Sequence, residues 1–256
     1  MSVAVIFKWA YSPADAQVRS DGTLDLSRAK AAISEYDPVA IAAGRQLAND
    51  LGTDLVGLTA GPAGIDSPLM RKAALSRGLD RLFVATHSAL EQANSTVTAN
   101  VLAAALGREP EIAAVIAGAE SVDDAAGQVP LTLAGLLDWP GLAGVSGIAV
   151  DGGALEVYRT GANRQETLRL TGPAVLAVTT NAVSPPVPGM KDILAAGKKP
   201  ATVLDEAELG PVTCAQAVEV GRRPTAVPRR EGRVLDGELA EAVRQAVSVI
   251  QEAGLA

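Results

Sequence analysis

Short apolar runs, spaced by stretches of helical pattern, constrain this chain more than any other feature. Val3–Phe7, Leu55–Thr59, Arg81–Ala85 and Ile112–Ala117 each have the length and composition of a buried strand. Between them lie helical segments with identifiable ends. Asp37-Pro38 opens a helix reaching about Asn49, with proline in the first turn, where its missing N–H is not needed. Ser67–Ser76 is a second helix with Gly78 just past its end, and Asn94–Leu106 a third with Gly107 as its stop. Asp123–Leu137 is expected to be helical despite Pro130. Strands separated by helices of this length imply an α/β fold: a doubly wound, mostly parallel sheet with right-handed crossovers. Hydrophobic residues make up 48% and aromatics only 3%, so Ala, Val, Leu and Ile must build the core.

The character changes elsewhere. Asp21-Gly22, between Ala16–Val18 and Leu24–Leu26, has the form of a hairpin turn. Beyond Pro140, Val145–Val150, Ala154–Thr160 and Glu166–Leu170 alternate between glycine-rich turns, the pattern of a small antiparallel ribbon. Pro173–Thr179 is a further buried strand, and residues 181–200 are expected to form a loop with a short helix. From Ala201 the chain is polar and rich in Pro and Arg. It ends in a helix over Gly237–Ala253 whose Leu239, Val243, Ala246, Val247 and Ile250 share one face. Two domains are therefore expected: residues 1–200, and an extended C-terminal arm plus helix over 201–256. That arm either folds back or wraps a partner.

Composition removes several functions. A net charge of −7 argues against nucleic-acid binding. No apolar run approaches the length that spans a bilayer, and no signal peptide is visible, so a cytoplasmic location is expected. The single cysteine, Cys214, leaves no internal disulfide or cysteine cluster. The single histidine, His87, follows a strand and is expected to be an exposed loop residue. Met190 and Trp139 are expected to pack, and Lys198-Lys199 to serve docking or simply to lie at the surface.

In an open parallel sheet, ligands bind beyond the carboxyl ends of the strands. Here those ends are Lys8, Ala60-Gly61, Gly118 and Thr180-Asn181. The longest loop, Gly118 to Val129, is rich in small residues and leads into a helix, whose free N–H groups suit a phosphate and which Asp123 could cap. Neither the dinucleotide-binding glycine fingerprint nor a Walker loop is present.

Several stretches together resemble the electron-transfer flavoprotein β subunit, closest to the branch associated with carnitine metabolism and nitrogen fixation. They are Ser20–Asp25, Ile33–Ile41, Ala60-Gly61 with Arg71-Lys72 and Leu75–Gly78, Leu137–Pro140, Val157–Arg159 through Gln165–Thr167 to Pro173–Val175 and Thr179-Thr180, then Ser184-Pro185, Pro188–Lys191 and Ala195–Pro200. The likeness covers roughly residues 3–210 in preserved order.

The resemblance implies an electron carrier without catalytic side chains of its own. An α-type partner would hold the redox FAD, and this chain would hold AMP or a second FAD, the latter in bifurcating members. Nucleotide contacts would come from Ile6, Phe7, Lys8, Ala60, Gly61, Gly118, Asp123, Ala126, Gly127, Gln128, Val129, Thr180 and Asn181. Val187, Pro188, Met190 and Lys191 would dock an acyl-CoA dehydrogenase-type flavoenzyme, and electrons would pass toward a quinone, through a membrane quinone oxidoreductase, or another acceptor. The arm would embrace the α-type subunit. Ala125, Ala126 and Pro130 depart from the family loop by removing side-chain donors and one backbone donor, which implies weaker or rearranged phosphate contacts. The alternative class is an adenine-nucleotide-binding or hydrolysing domain of the stress-protein type, which shares the architecture.

Overall fold

The computed structural model describes residues 1–21, 23–161, 164–212 and 232–254. The chain divides into two units, Met1–Ala217 and Val218–Ala256. Cys214 and the arginines at 222, 223, 229 and 230 lie outside the described residues.

The first unit is built on one nine-stranded sheet. Its strands are β1 (Ser2–Ile6), β6 (Asp54–Gly61), β7 (Arg81–Thr86), β8 (Ile112–Gly118), β9 (Gly141–Asp151), β10 (Ala154–Thr160), β11 (Gln165–Leu170), β12 (Val175–Val178) and β13 (Ala201–Leu204). They run in the order β11-β10-β9-β12-β8-β1-β6-β7-β13. All neighbouring pairs from β9 to β13 are parallel. Helices α1 (Asp37–Asp50), α2 (Pro68–Leu75), α3 (Ser95–Leu106), α4 (Val129–Leu137), α5 (Met190–Ala196) and α6 (Glu206–Leu209) complete the unit. Two short pairings, β2 (Trp9–Tyr11) with β5 (Ala31–Ile33) and β3 (Gln17–Val18) with β4 (Leu24–Asp25), lie between β1 and α1. The second pairing is the expected hairpin, though Gly22 itself lies outside the described residues.

Strand β1 is buried along its whole length, which is why Ser2–Ile6 is a continuous apolar run after its serine. Val3 and Val5 face one layer with Ile41 and Leu47 of α1. Ala4 and Ile6 face the other with Val101 and Leu102 of α3. The chain passes from β1 outward to β6 and β7, then returns through α3 to β8 on the far side of β1. Helices therefore cover opposite faces, and the strand order reverses between β1 and β8. That reversal is the topological switch point, where a crevice opens at the carboxyl ends.

The expected antiparallel ribbon is present, and β9 also pairs parallel with β12, so the ribbon continues the main sheet. Two expectations need correction. The boundary at residue 200 moves, because Ala201–Leu204 adds to β7 as the edge strand; its β-branched Thr202 and Val203 suit a strand. Helix α4 begins at Val129, not Asp123, with Pro130 in its first turn, where proline is tolerated.

Polar side chains fix the sheet's lower edge. Asp80 Oδ2 accepts from Arg45 Nη1 at 2.6 Å and from the Leu55 N–H at 2.8 Å, while Arg45 also reaches the Thr53 and Gly78 carbonyls. Burial pushes the Asp80 carboxyl up, but the Leu55 N–H and the Arg45 guanidinium outweigh it and hold it below its ordinary value. Replacing Asp80 with alanine is expected to cost about 1–2 kcal/mol, since it removes a charged acceptor from two donors. A lowered midpoint of urea unfolding with an unchanged slope checks this. Lys199 is likewise structural: its Nζ donates to the Leu75 and Leu79 carbonyls at the end of α2.

In the second unit, α7 (Leu239–Glu252) carries the apolar stripe seen in the sequence. Leu239, Val243, Val247 and Ile250 are all exposed. Among the described residues no helix is long and apolar enough to cross a membrane.

Candidate functional site

A cavity of about 330 Å³ opens at the switch point, against the ends of β1, β6 and β8. Of the residues expected to contact a nucleotide, Ile6, Phe7, Lys8, Ala60, Gly61, Gly118, Ala126, Gly127, Gln128 and Val129 all line it. Asp123 lies just behind the wall. Thr180 and Asn181 do not line it, because β12 stands on the far side of β8 from β1. Asn181 instead accepts from the Thr179 hydroxyl at 2.6 Å. Val187, Met190 and Lys191 are exposed ahead of and within the first turn of α5, and Pro188 is half-buried. Met190 is thus a surface residue and not the packing residue expected, whereas Trp139 does pack against the core.

The loop after β8 gives the cavity its chemistry. Ala125 (φ 49°) and Gly127 (φ 60°) adopt left-handed backbone, so the chain coils before α4 starts. A side chain at Gly127 would press within 3.3 Å of the Ala119 carbonyl. This coiling is why Asp123 caps no helix. Among the described residues, the backbone N–H groups of Ala126, Gly127, Gln128 and Val129 meet no acceptor, and α4 has no side-chain cap. Left-handed Gly127 followed by right-handed Gln128, ahead of a helix with no side-chain cap, forms a concave set of donors suited to an anion. Pro130 takes nothing from it that α4 requires.

Two ionic features frame this set of donors. Lys8 Nζ bonds Asp123 Oδ1 at 2.8 Å and Asp124 Oδ2 at 2.5 Å, and Ser121 Oγ lies at 3.5 Å. Burial lowers the Lys8 pKa, but the two carboxylates more than compensate and raise it. Asp123 is pushed up by burial and, more strongly, drawn down by Lys8 and Ser121, so its net shift is downward. Asp37 occupies the crevice itself. Its Oδ2 accepts from the Lys8 N–H at 2.8 Å, and the Gly118 N–H also stabilises its charge. The carboxyl thus ties the end of β1 to the end of β8. Burial nonetheless pushes its pKa up to about 7.

Sequence reasoning missed several cavity residues. Asp37 and Asn94 were visible only as the first residues of helices; Asn94 in fact caps its helix, its Oδ1 accepting from the Val97 N–H at 2.9 Å. Both also line the cavity, with Ser95, Thr98, Ile65 and Trp9. Aromatics are scarce in this chain, yet Phe7 and Trp9 meet edge to face here with ring centres 6.0 Å apart. His87 is not exposed but buried. Its Nδ1 accepts from the Ala89 N–H at 3.0 Å and caps the turn Ser88–Gln92.

The cavity offers an apolar wall, a fan of backbone donors and a hydrogen-bonding rim. The family model for the electron transfer flavoprotein domain matches residues 21–209, which takes in all of the cavity except the β1 end, and decides against the stress-type alternative. On that match the chain belongs to the electron transfer flavoprotein family.

Proposed function

We propose that this chain is the β-type subunit of a heterodimeric electron-transfer flavoprotein, and that its switch-point cavity holds an adenine nucleotide. The observation that carries the reading is the meeting of ten expected contact residues with four unengaged backbone donors in one cavity. The fit is chemical. Ile6, Phe7, Ile65 and Leu102 supply an apolar surface for a base. The N–H groups of Ala126–Val129 suit a phosphate, and Asp37, Asn94 and Thr98 can meet hydroxyls. A volume of about 330 Å³ is at the small end for ligand sites, which favours AMP over a whole second FAD. A simple carrier, not a bifurcating one, follows from that preference.

Flavin held mainly by the α-type partner supplies the one-electron chemistry. This chain's residues bind, orient and exclude water. The exposed stripe of α7 is the surface we assign to the α-type partner, with the segment beyond α6 as the arm that carries it. The exposed Val187, Met190 and Lys191, with the half-buried Pro188, are assigned to an acyl-CoA dehydrogenase-type donor, and a quinone-linked or other acceptor receives the electrons.

Co-expression with an α-type subunit is expected to give a yellow heterodimer. Acid release followed by chromatography should yield FAD and AMP in equal amounts. Two FAD per heterodimer would refute the simple-carrier assignment, and a colourless chain that binds no partner would refute the subunit assignment.

A further inference from the structure

The cavity is shaped for an anion and yet walled by acids. Among the described residues, Lys8 is the only lysine or arginine lining it, while Asp37, Glu91, Glu120 and Asp124 face the same space. A nucleotide phosphate therefore meets a single cation, and that cation is already bonded. The two carboxylates on Lys8 are not equivalent. Asp123 is largely shielded, with its side chain 29% exposed, and its Oδ1 also accepts the Asp124 N–H at 2.9 Å. It is fixed from both sides and stands outside the cavity lining. The Asp124 side chain is 69% exposed, lines the cavity, and among the described residues has Lys8 as its one side-chain partner.

A carboxylate oxygen 2.5 Å from the ammonium occupies the kind of position a phosphate oxygen would take. Both are anionic acceptors competing for the same N–H donors. Exposed ion pairs contribute little, so Asp124 can turn into water at small cost. The adjoining Ala126–Val129 donors are already open and need no rearrangement.

We propose that Asp124 is an internal competitor for the ligand's phosphate. Lys8 exchanges Asp124 for a phosphate oxygen when an adenine nucleotide enters, and keeps Asp123 as its fixed partner. Asp124 is thus a specificity-determining residue: it damps the advantage of a phosphorylated ligand over a bare nucleoside. The inference rests on the nucleotide reading above.

The test compares AMP and adenosine as probes, by calorimetry on the full-length chain dialysed free of small molecules. Asp124→Asn is expected to bind AMP roughly two- to fivefold more tightly, the worth of one exposed ion pair, with adenosine unchanged. In a Lys8→Met background the same substitution should leave AMP affinity unaltered. An Asp124→Asn protein that binds AMP no better, or more weakly, while adenosine is unaffected makes Asp124 a strut and overturns the inference alone. If neither probe binds any folded variant or the parent, the nucleotide reading itself fails.

Discussion

Replacing Gly118 with alanine is expected to lower the melting temperature by about 6–12 °C, which corresponds to about 3 kcal/mol in a domain of this size. The added carbon would lie 2.5 Å from Asp37 Oδ1, 3.1 Å from Tyr36 Cβ and 3.2 Å from the Tyr36 carbonyl carbon. None of these can retreat cheaply. Asp37 is buried and held by the Lys8 N–H. Tyr36 is the residue from which α1 starts, and Val39, Ala40 and Ile41 lock that helix onto the sheet. The methyl group must therefore push the carboxyl off the N–H groups it bonds, or lift α1 from β8. Either route leaves a buried polar group short of partners. Nucleotide content of the purified protein should fall as well, since Gly118 lines the cavity. Gly135→Ala is the matched control. It lies in the neighbouring helix α4 with nothing within 4 Å of the added carbon, so it should be neutral or stabilising by up to about 1 kcal/mol. Equal melting temperatures for the two variants would show that the close approach at Gly118 carries no energetic weight.

The contrast between Gly118 and its loop also marks where sequence reasoning works. The parallel sheet was legible because its strands are buried on both faces. Val3, Val5, Ala4 and Ile6 serve opposite layers, so the run cannot be anything but a core strand. Order along the chain then places Ile6–Lys8, Ala60-Gly61 and Gly118 at one end of the sheet, and they do meet there. What was not legible depends on backbone hand and on long-range pairing. Nothing local announces that Ala125 adopts a left-handed conformation, since alanine tolerates it poorly. That one dihedral helps turn the chain and delays α4, so Asp123 becomes a partner of Lys8 instead of a helix cap. Ala201–Leu204 looked like the start of an arm because a four-residue edge strand next to prolines carries little pattern. His87 looked exposed because part of what lies beside it is remote in sequence: Glu206 of α6 places its Oε1 3.8 Å from the His87 Nε2.

Asp37 gives the largest expected dependence on pH. Its carboxyl is pushed up to about 7 in the folded protein, against an ordinary value of 3.8. The folded state therefore holds a proton between about pH 4 and pH 7 that the unfolded chain has released. Because the native state binds more protons there, stability falls as pH rises through that window and levels off above the folded pKa. A shift of this size corresponds to at most about 4 kcal/mol, since each unit is worth about 1.4 kcal/mol. Asp80 and Glu109 shift the other way, each held below its ordinary value, and add stability as pH rises from the acid side. Total stability thus mixes both signs, and a variant is needed to isolate Asp37. Asp37→Asn keeps one oxygen for the Lys8 or Gly118 N–H but sets an NH₂ donor against the other. That mismatch costs about 1–3 kcal/mol at every pH. It also removes the titration. Urea unfolding of both proteins from pH 4.5 to 8 should therefore show the variant weakest relative to the parent at pH 4.5. The gap should narrow by several kcal/mol as pH rises, and close or reverse by pH 8. Curves that stay parallel across the window would show that the Asp37 carboxyl is ionised throughout, with the N–H groups at the ends of β1 and β8 sufficient to offset its burial.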